Sequence, residues 1–219
     1  MSEADSLRAR TFAAIAARPS PTRRQAGVAA RALVAASVAV GVMIFEEVGG
    51  FEHGAGRPIG ITFALATGWS VVAAILTWLV LARSASSAMP RWPLSAGVSA
   101  LLAPILLFLW MRLFYGRYPE PYDAVGYRCL RYSLFISALP LGSFLTLRRA
   151  IEPRFPALLG AAAGAACAAW AGALVDIWCP LANPVHILIG HLAPLVVATV
   201  VGAIAGRFML GTRRSRKDR

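Results

Sequence analysis

Four stretches of this chain run for eighteen or more residues without an Asp, Glu, Lys or Arg: Ile59 to Ala82, Leu94 to Met111, Pro156 to Val175 and Ile187 to Gly206. A helix needs about 20 residues at ~1.5 Å each to cross roughly 30 Å of hydrocarbon, so each stretch is long enough or nearly so. Two further stretches complete the pattern. Val28 to Phe45 carries Arg31 about one turn from its start, where the long side chain can snorkel to the headgroups. Cys129 to Leu147 has Arg131 near its beginning. Together they predict an all-α, polytopic membrane protein with six transmembrane helices.

Composition excludes the competing classes. Of 219 residues, 58% are hydrophobic and only 15% charged, with a mean hydropathy of +0.64. A soluble domain is about half apolar and about a quarter charged, and a chain of this length cannot build a core large enough to hide such stretches from water. High apolar content excludes disorder, and three cysteines are too few for a disulfide scaffold. The net charge of +12 invites a nucleic-acid reading, yet no basic run interleaves with aromatics in a polar domain. The charge instead follows topology and attraction to anionic lipid, and no direct nucleic-acid binding is expected.

Lys and Arg collect on one side of the expected spans. Arg8, Arg10, Arg18, Arg23 and Arg24 precede the first; Arg83 and Arg91 fall in the second loop; Arg148, Arg149 and Arg154 fall in the fourth; Arg207, Arg213, Arg214, Arg216, Lys217 and Arg219 end the chain. These are sixteen of the twenty-two basic residues, whereas Glu46, Glu47, Glu52, Glu120, Asp123 and Asp176, six of the ten acids, fall on the other side. Both termini are therefore expected in the cytoplasm. The organisation read from this is a cytoplasmic tail at 1–27, a six-helix domain at 28–209 and a basic cytoplasmic tail at 210–219. Residues 1–27 contain five arginines and no long apolar core, so no cleavable signal peptide is expected there.

Small residues suggest how the helices pack. Gly160, Gly164 and Ala168 recur every four residues in the fifth span, and Gly202 and Gly206 in the sixth, a spacing that lets a neighbouring backbone approach closely. Pro104, Pro140 and Pro194 predict kinks in three helices. A substrate pathway would add buried charge near the middle of the membrane, and the nearest candidate is His191.

Topology makes the three cysteines unequal. Cys129 opens the fourth span and Cys179 closes the fifth, about 20 and 24 residues from the loop that joins them, so on antiparallel helices their depths agree to about one turn. They can meet on the outer side, an oxidising compartment, and can form a disulfide if their Cα atoms come within about 7 Å. Cys167, among alanines in mid-helix, reads as a small buried hydrophobe. The histidines also fall outside: His53 in the first loop, His186 and His191 at the start of the sixth helix. Thiolate and imidazole ligands suit copper or zinc, which makes Cys129, Cys179, His186 and His191 a candidate metal set. Against this, His186 and His191 are five residues apart, about 140° on a regular α-helix, so both cannot easily face one ion. The plain alternative for each histidine is a solvated side chain at the interface.

The segments FAAIAARPSPTRRQ before the first span, GYRCLRYSLFISALP entering the fourth, LRRAIEPRFPALLGAAAG across the fourth loop and DIWCPLANPVHILIGHLAP after the fifth carry a resemblance. The chain resembles the NrsF-type negative regulators of sigma factor F, six-span anti-sigma factors of the inner membrane of Gram-negative bacteria. The likeness extends over nearly the whole chain, although residues 46–120 contribute little beyond hydropathy. It implies a non-enzymatic stress switch: an extracytoplasmic-function sigma factor is held inactive at the membrane and released when a periplasmic cysteine pair meets metal or oxidative stress. Cys129 and Cys179 match that pair, and no role carries over to Cys167. No tightly bound cofactor is implied, only transient copper or another thiophilic ion. The amino-terminal segment would bind the sigma factor, with Leu7, Arg8, Phe12 and Ile15 as its candidate contacts; Leu7, Thr11, Phe12 and Ile15 give a short helix there a modest apolar face, capped by Ser2 or Asp5.

Two other functions compete. A membrane thiol oxidoreductase also uses periplasmic cysteines, but usually a closely spaced C-x-x-C, which this chain lacks. A small transporter would use kinked helices and His191, yet no inverted repeat is visible.

Overall fold

A computed structural model describes residues 23–47, 58–82, 126–148, 155–181 and 183–210, together with isolated positions between and before them. Every regular element among them is helical. We number these α1 (Arg23–Glu47), α2 (Ile59–Ala82), α3 (Tyr127–Arg148), α4 (Pro156–Trp178), α5 (Pro184–Ile187) and α6 (Ala193–Met209), with a π-helical turn, Leu188–Leu192, joining α5 to α6. Four helical segments among the described residues are long and apolar enough to cross a membrane: Ile59–Val80, Tyr127–Arg148, Pro156–Trp178 and Pro184–Met209. Their outward faces carry exposed Phe63, Trp78, Phe135, Val200, Ile204 and Phe208, an apolar covering compatible with a membrane protein.

These helices coincide with the second, fourth, fifth and sixth expected spans. Helix α1 contains the first expected span, Val28 to Phe45. The third, Leu94 to Met111, lies largely outside the described residues; Leu102, Ile105, Leu106 and Leu109 within it are helical. The amino-terminal candidates Leu7, Arg8, Phe12 and Ile15, the loop residue His53, Pro104, residues 149–154 and residues 211–219 also lie outside them.

Helix α4 is the centre of the bundle and packs against α6, α2 and α3. Its contact with α6 works because both helices present bare backbone. A Cβ added to Gly160 would land on the carbonyl of Gly202, one added to Gly164 on the carbonyl of Ala198, and one added to Gly206 would stand 2.8 Å from the Cα of Gly160. Such close backbone approach gives two apolar helices extensive van der Waals contact without large side chains. Trp69, Val72, Ala73 and Leu76 of α2 pack on Ala166, Ala169 and Ala173 of α4, with Leu102 and Leu106 against them. Toward one end, Val80, Leu141, Leu145, Ala162, Ala163 and Leu210 form a second cluster. Toward the other, Cys129, Val175, Trp178 and Cys179 form a third, bordered by Ile44 and Phe45 of α1.

Pro140 sits inside α3 without ending it, and Pro194 lies in the first turn of α6, directly after the π-turn.

Candidate metal-binding cluster

The third cluster is assembled by backbone features at helix ends. Gly126, just before α3, has φ 74°, a left-handed conformation that L side chains adopt only at a cost. It accepts a hydrogen bond from Leu130 N–H at 2.9 Å, opening the helix. Space demands glycine there as well, since a Cβ would stand 2.7 Å from the carbonyl oxygen of His186 and 2.9 Å from the nitrogen of Gly190. A Cβ on Gly190 would in turn stand 2.9 Å from Cβ of Cys129. The start of α3 therefore lies directly against the π-turn, with Cys129 in its first helical turn.

Cys179 comes from α4. It is the C-cap residue, extended at φ −72° and ψ 116°, with its N–H still donating to Val175 at 2.9 Å. Pro180 follows, and a proline so placed cannot continue the helix. The chain re-enters a helix at Pro184, where the Asn183 side chain accepts from Val185 N–H at 2.9 Å, an N-cap with proline in the first helical position. His186 falls in that first turn.

His191 is delivered by the π-turn. Ala193 N–H donates to the carbonyl of Leu188, five residues back, which is the hydrogen bond that defines a π-turn. Pro194 has no N–H to return to the carbonyl of Gly190, and its ring would press on that carbonyl in a regular α-turn; the wider turn makes room. The outcome overturns the expectation that the two histidines diverge by about 140°. That angle holds only at 3.6 residues per turn, whereas here the imidazole centroids lie 5.5 Å apart.

All four expected ligands are buried, and one donor atom from each of Cys129, Cys179, His186 and His191 lies within 4.8 Å of every other. The two sulfurs are 3.7 Å apart. Nε2 of His186 lies 3.4 Å from Sγ of Cys129 and 3.1 Å from Sγ of Cys179. Two sulfurs each about 2.3 Å from one ion at the tetrahedral angle stand about 3.8 Å apart, and a sulfur and an imidazole nitrogen stand about 3.6 Å apart. The donor set and its spacing thus fit a four-coordinate thiophilic ion with small adjustments. The sulfurs are free thiols, and a disulfide would bring them to about 2.05 Å. The Cys179 thiol is pushed above the ordinary cysteine value, first by its hydrogen bond with Cys129 and then by burial, while His186 pulls it down.

One participant was not a sequence candidate. Asp176 of α4 is 1% exposed and places Oδ1 3.2 Å from Nδ1 of His191. Its signal was present as an acid in an otherwise apolar helix, three residues before Cys179. In the same cluster Tyr132 and Trp178 meet edge to face at 5.9 Å, and the Arg128 guanidinium stands 5.8 Å from both rings. Cys167 lies away from this end, half-buried against the second hydrophobic cluster.

No curated protein and no solved structure matches this chain. The family model NrsF, described as negative regulator of sigma F, matches residues 12–211. That span includes every member of the cluster and every described helix, so the chain belongs to the NrsF family of negative regulators of sigma F.

Proposed function

We propose that this chain is a membrane-bound anti-sigma factor of the bacterial inner membrane that sequesters an extracytoplasmic-function sigma factor and frees it when the Cys129–Cys179 pair, with His186 and His191, meets a thiophilic metal ion such as copper, or an oxidant. It acts as a regulator and not as a catalyst. The observation that carries this reading is the buried group of two sulfurs and two imidazoles within 4.8 Å, in a chain of the sigma F regulator family. Family membership supplies the output, and the cluster supplies an input.

The excess of Lys and Arg in the tails and in residues 149–154 argues for termini in the cytoplasm and the cluster at the periplasmic side. Helices α3 and α4 both run from the cluster toward residues 149–154. Packed helices move as stiff bodies, so drawing their outer ends together displaces their inner ends and whatever is docked there. An oxidant does this by taking two electrons and two protons from the thiols as the S–S bond forms and closes the 3.7 Å gap to about 2.05 Å. An ion instead bridges the sulfurs at about the spacing they already have and fixes the two helix ends relative to each other. The segment around Leu7, Arg8, Phe12 and Ile15 is the proposed sigma-binding surface.

Copurification tests this reading. The full chain, solubilised from membranes, should retain a sigma factor; a chain lacking Ser2 to Ala17 should still fractionate with the membrane but lose it. Full retention by the truncated chain would move the binding surface to the basic loops or the carboxyl tail, and no sigma factor with either chain would overturn the anti-sigma reading.

A further inference from the structure

The Asp176–His191 pair does work that the cluster's four ligands do not explain. Asp176 is buried in the last turn of a membrane-spanning helix, where a carboxylate is costly unless it is partnered. His191 is buried too, at 2% exposure. Its Nδ1 faces the carboxylate at 3.2 Å, and both ring nitrogens are buried. An imidazole with one nitrogen beside a buried carboxylate and a ring nitrogen within 4.8 Å of two sulfurs and a second imidazole has the arrangement of a metal ligand fixed from behind. A proton on Nδ1, the nitrogen that faces the carboxylate, leaves the lone pair on Nε2 for an ion.

We infer that Asp176 is the positioning residue of the cluster, holding His191 so that Nε2 is the fourth donor to a thiophilic ion. This rests on the metal-site reading above. Two backbone features set the geometry: the π-turn brings the His191 ring to the sulfurs, and Asp176 and Cys179, three residues apart at the end of α4, place carboxylate and thiol on the same side of that helix. Asp176 touches no ion itself. Without it, His191 is free to rotate or to protonate the wrong nitrogen, and the ion is left with three protein ligands and a water.

Cobalt(II) titration of the full-length chain in detergent tests the assignment, with affinity read by chelator competition and ligand number by the visible spectrum. The wild type should show the strong visible bands of a tetrahedral thiolate site. Asp176→Asn should bind about 10–100-fold more weakly, with the spectrum of His191→Ala, and the double variant should be no weaker than His191→Ala alone. Asp176→Glu should recover part of the affinity and of the spectrum, while circular dichroism and elution profile establish that each variant is folded. A folded Asp176→Asn that binds as tightly as wild type with an unchanged spectrum overturns the assignment alone. A wild-type chain that takes up no cobalt overturns the metal-site reading and the assignment with it.

Discussion

His186 and His191 lie five residues apart in sequence and 5.5 Å apart between ring centroids, on a turn closed by the hydrogen bond from Ala193 N–H to the Leu188 carbonyl. The turn contains one residue more than a regular α-turn, and that residue is what aims both rings at the two sulfurs. Pro194→Ala restores the N–H that a regular α-turn returns to the Gly190 carbonyl and removes the ring that presses on it, so the segment should relax toward α geometry, where a five-residue separation turns the rings about 140° apart. Zinc affinity, measured by competition with a chromophoric chelator, should fall at least about tenfold, the lower end of the loss seen when a ligand's orientation is disturbed. Retention of wild-type affinity would show that the π-turn does not set the site.

The approach of α3 to the π-turn rests on two glycines. Gly126→Ala introduces a Cβ at φ 74° and within 2.7 Å of the His186 carbonyl. The left-handed conformation alone costs about 1–2 kcal/mol. Gly190→Ala meets Cβ of Cys129 at 2.9 Å and should push that sulfur away from its partner. Both variants should lower the melting temperature in detergent by a few degrees, and both should slow disulfide formation between Cys129 and Cys179 under diamide, read as a shift on a non-reducing gel.

Much of the fold can be read from the sequence, and what cannot has physical causes. Uncharged runs such as Ile59 to Ala82 mark helix bounds directly, because lipid tolerates so few charges. Counting residues from a shared loop put Cys129 and Cys179 at one depth, since α-helical rise is constant, and the sulfurs lie 3.7 Å apart. The same constancy failed at the histidines, where Pro194 breaks the α pattern; a proline three residues after His191 was the available clue. The uncharged run stops at Val175, which puts Asp176 among the acids beyond the span, yet α4 continues to Trp178 and buries it.

The seam between α4 and α6 should be the most sensitive part of the bundle to added bulk. Gly202→Leu drives a side chain into the backbone of Gly160 and Gly164, where no flexible side chain can yield, so its cost should exceed the ~1–3 kcal/mol usual for overpacking. Gly142→Leu is the control, since a Cβ there meets nothing within 4 Å. The fraction of protein that remains monodisperse after heating should collapse for the first and stay near wild type for the second.

The sulfurs of Cys129 and Cys179 are the proposed input of a sigma-factor switch, and a reporter for the sigma regulon reads that input. With protein level controlled by blotting, copper or a thiol oxidant should induce the wild type. Cys129→Ser and Cys179→Ser should abolish induction, because neither an ion nor a disulfide can then bridge α3 and α4. Cys167→Ser should respond nearly as wild type, its side chain lying against the other hydrophobic cluster. Wild-type induction in both Cys129→Ser and Cys179→Ser would rule out the cysteine pair as the input and pass sensing to the histidines or to another protein.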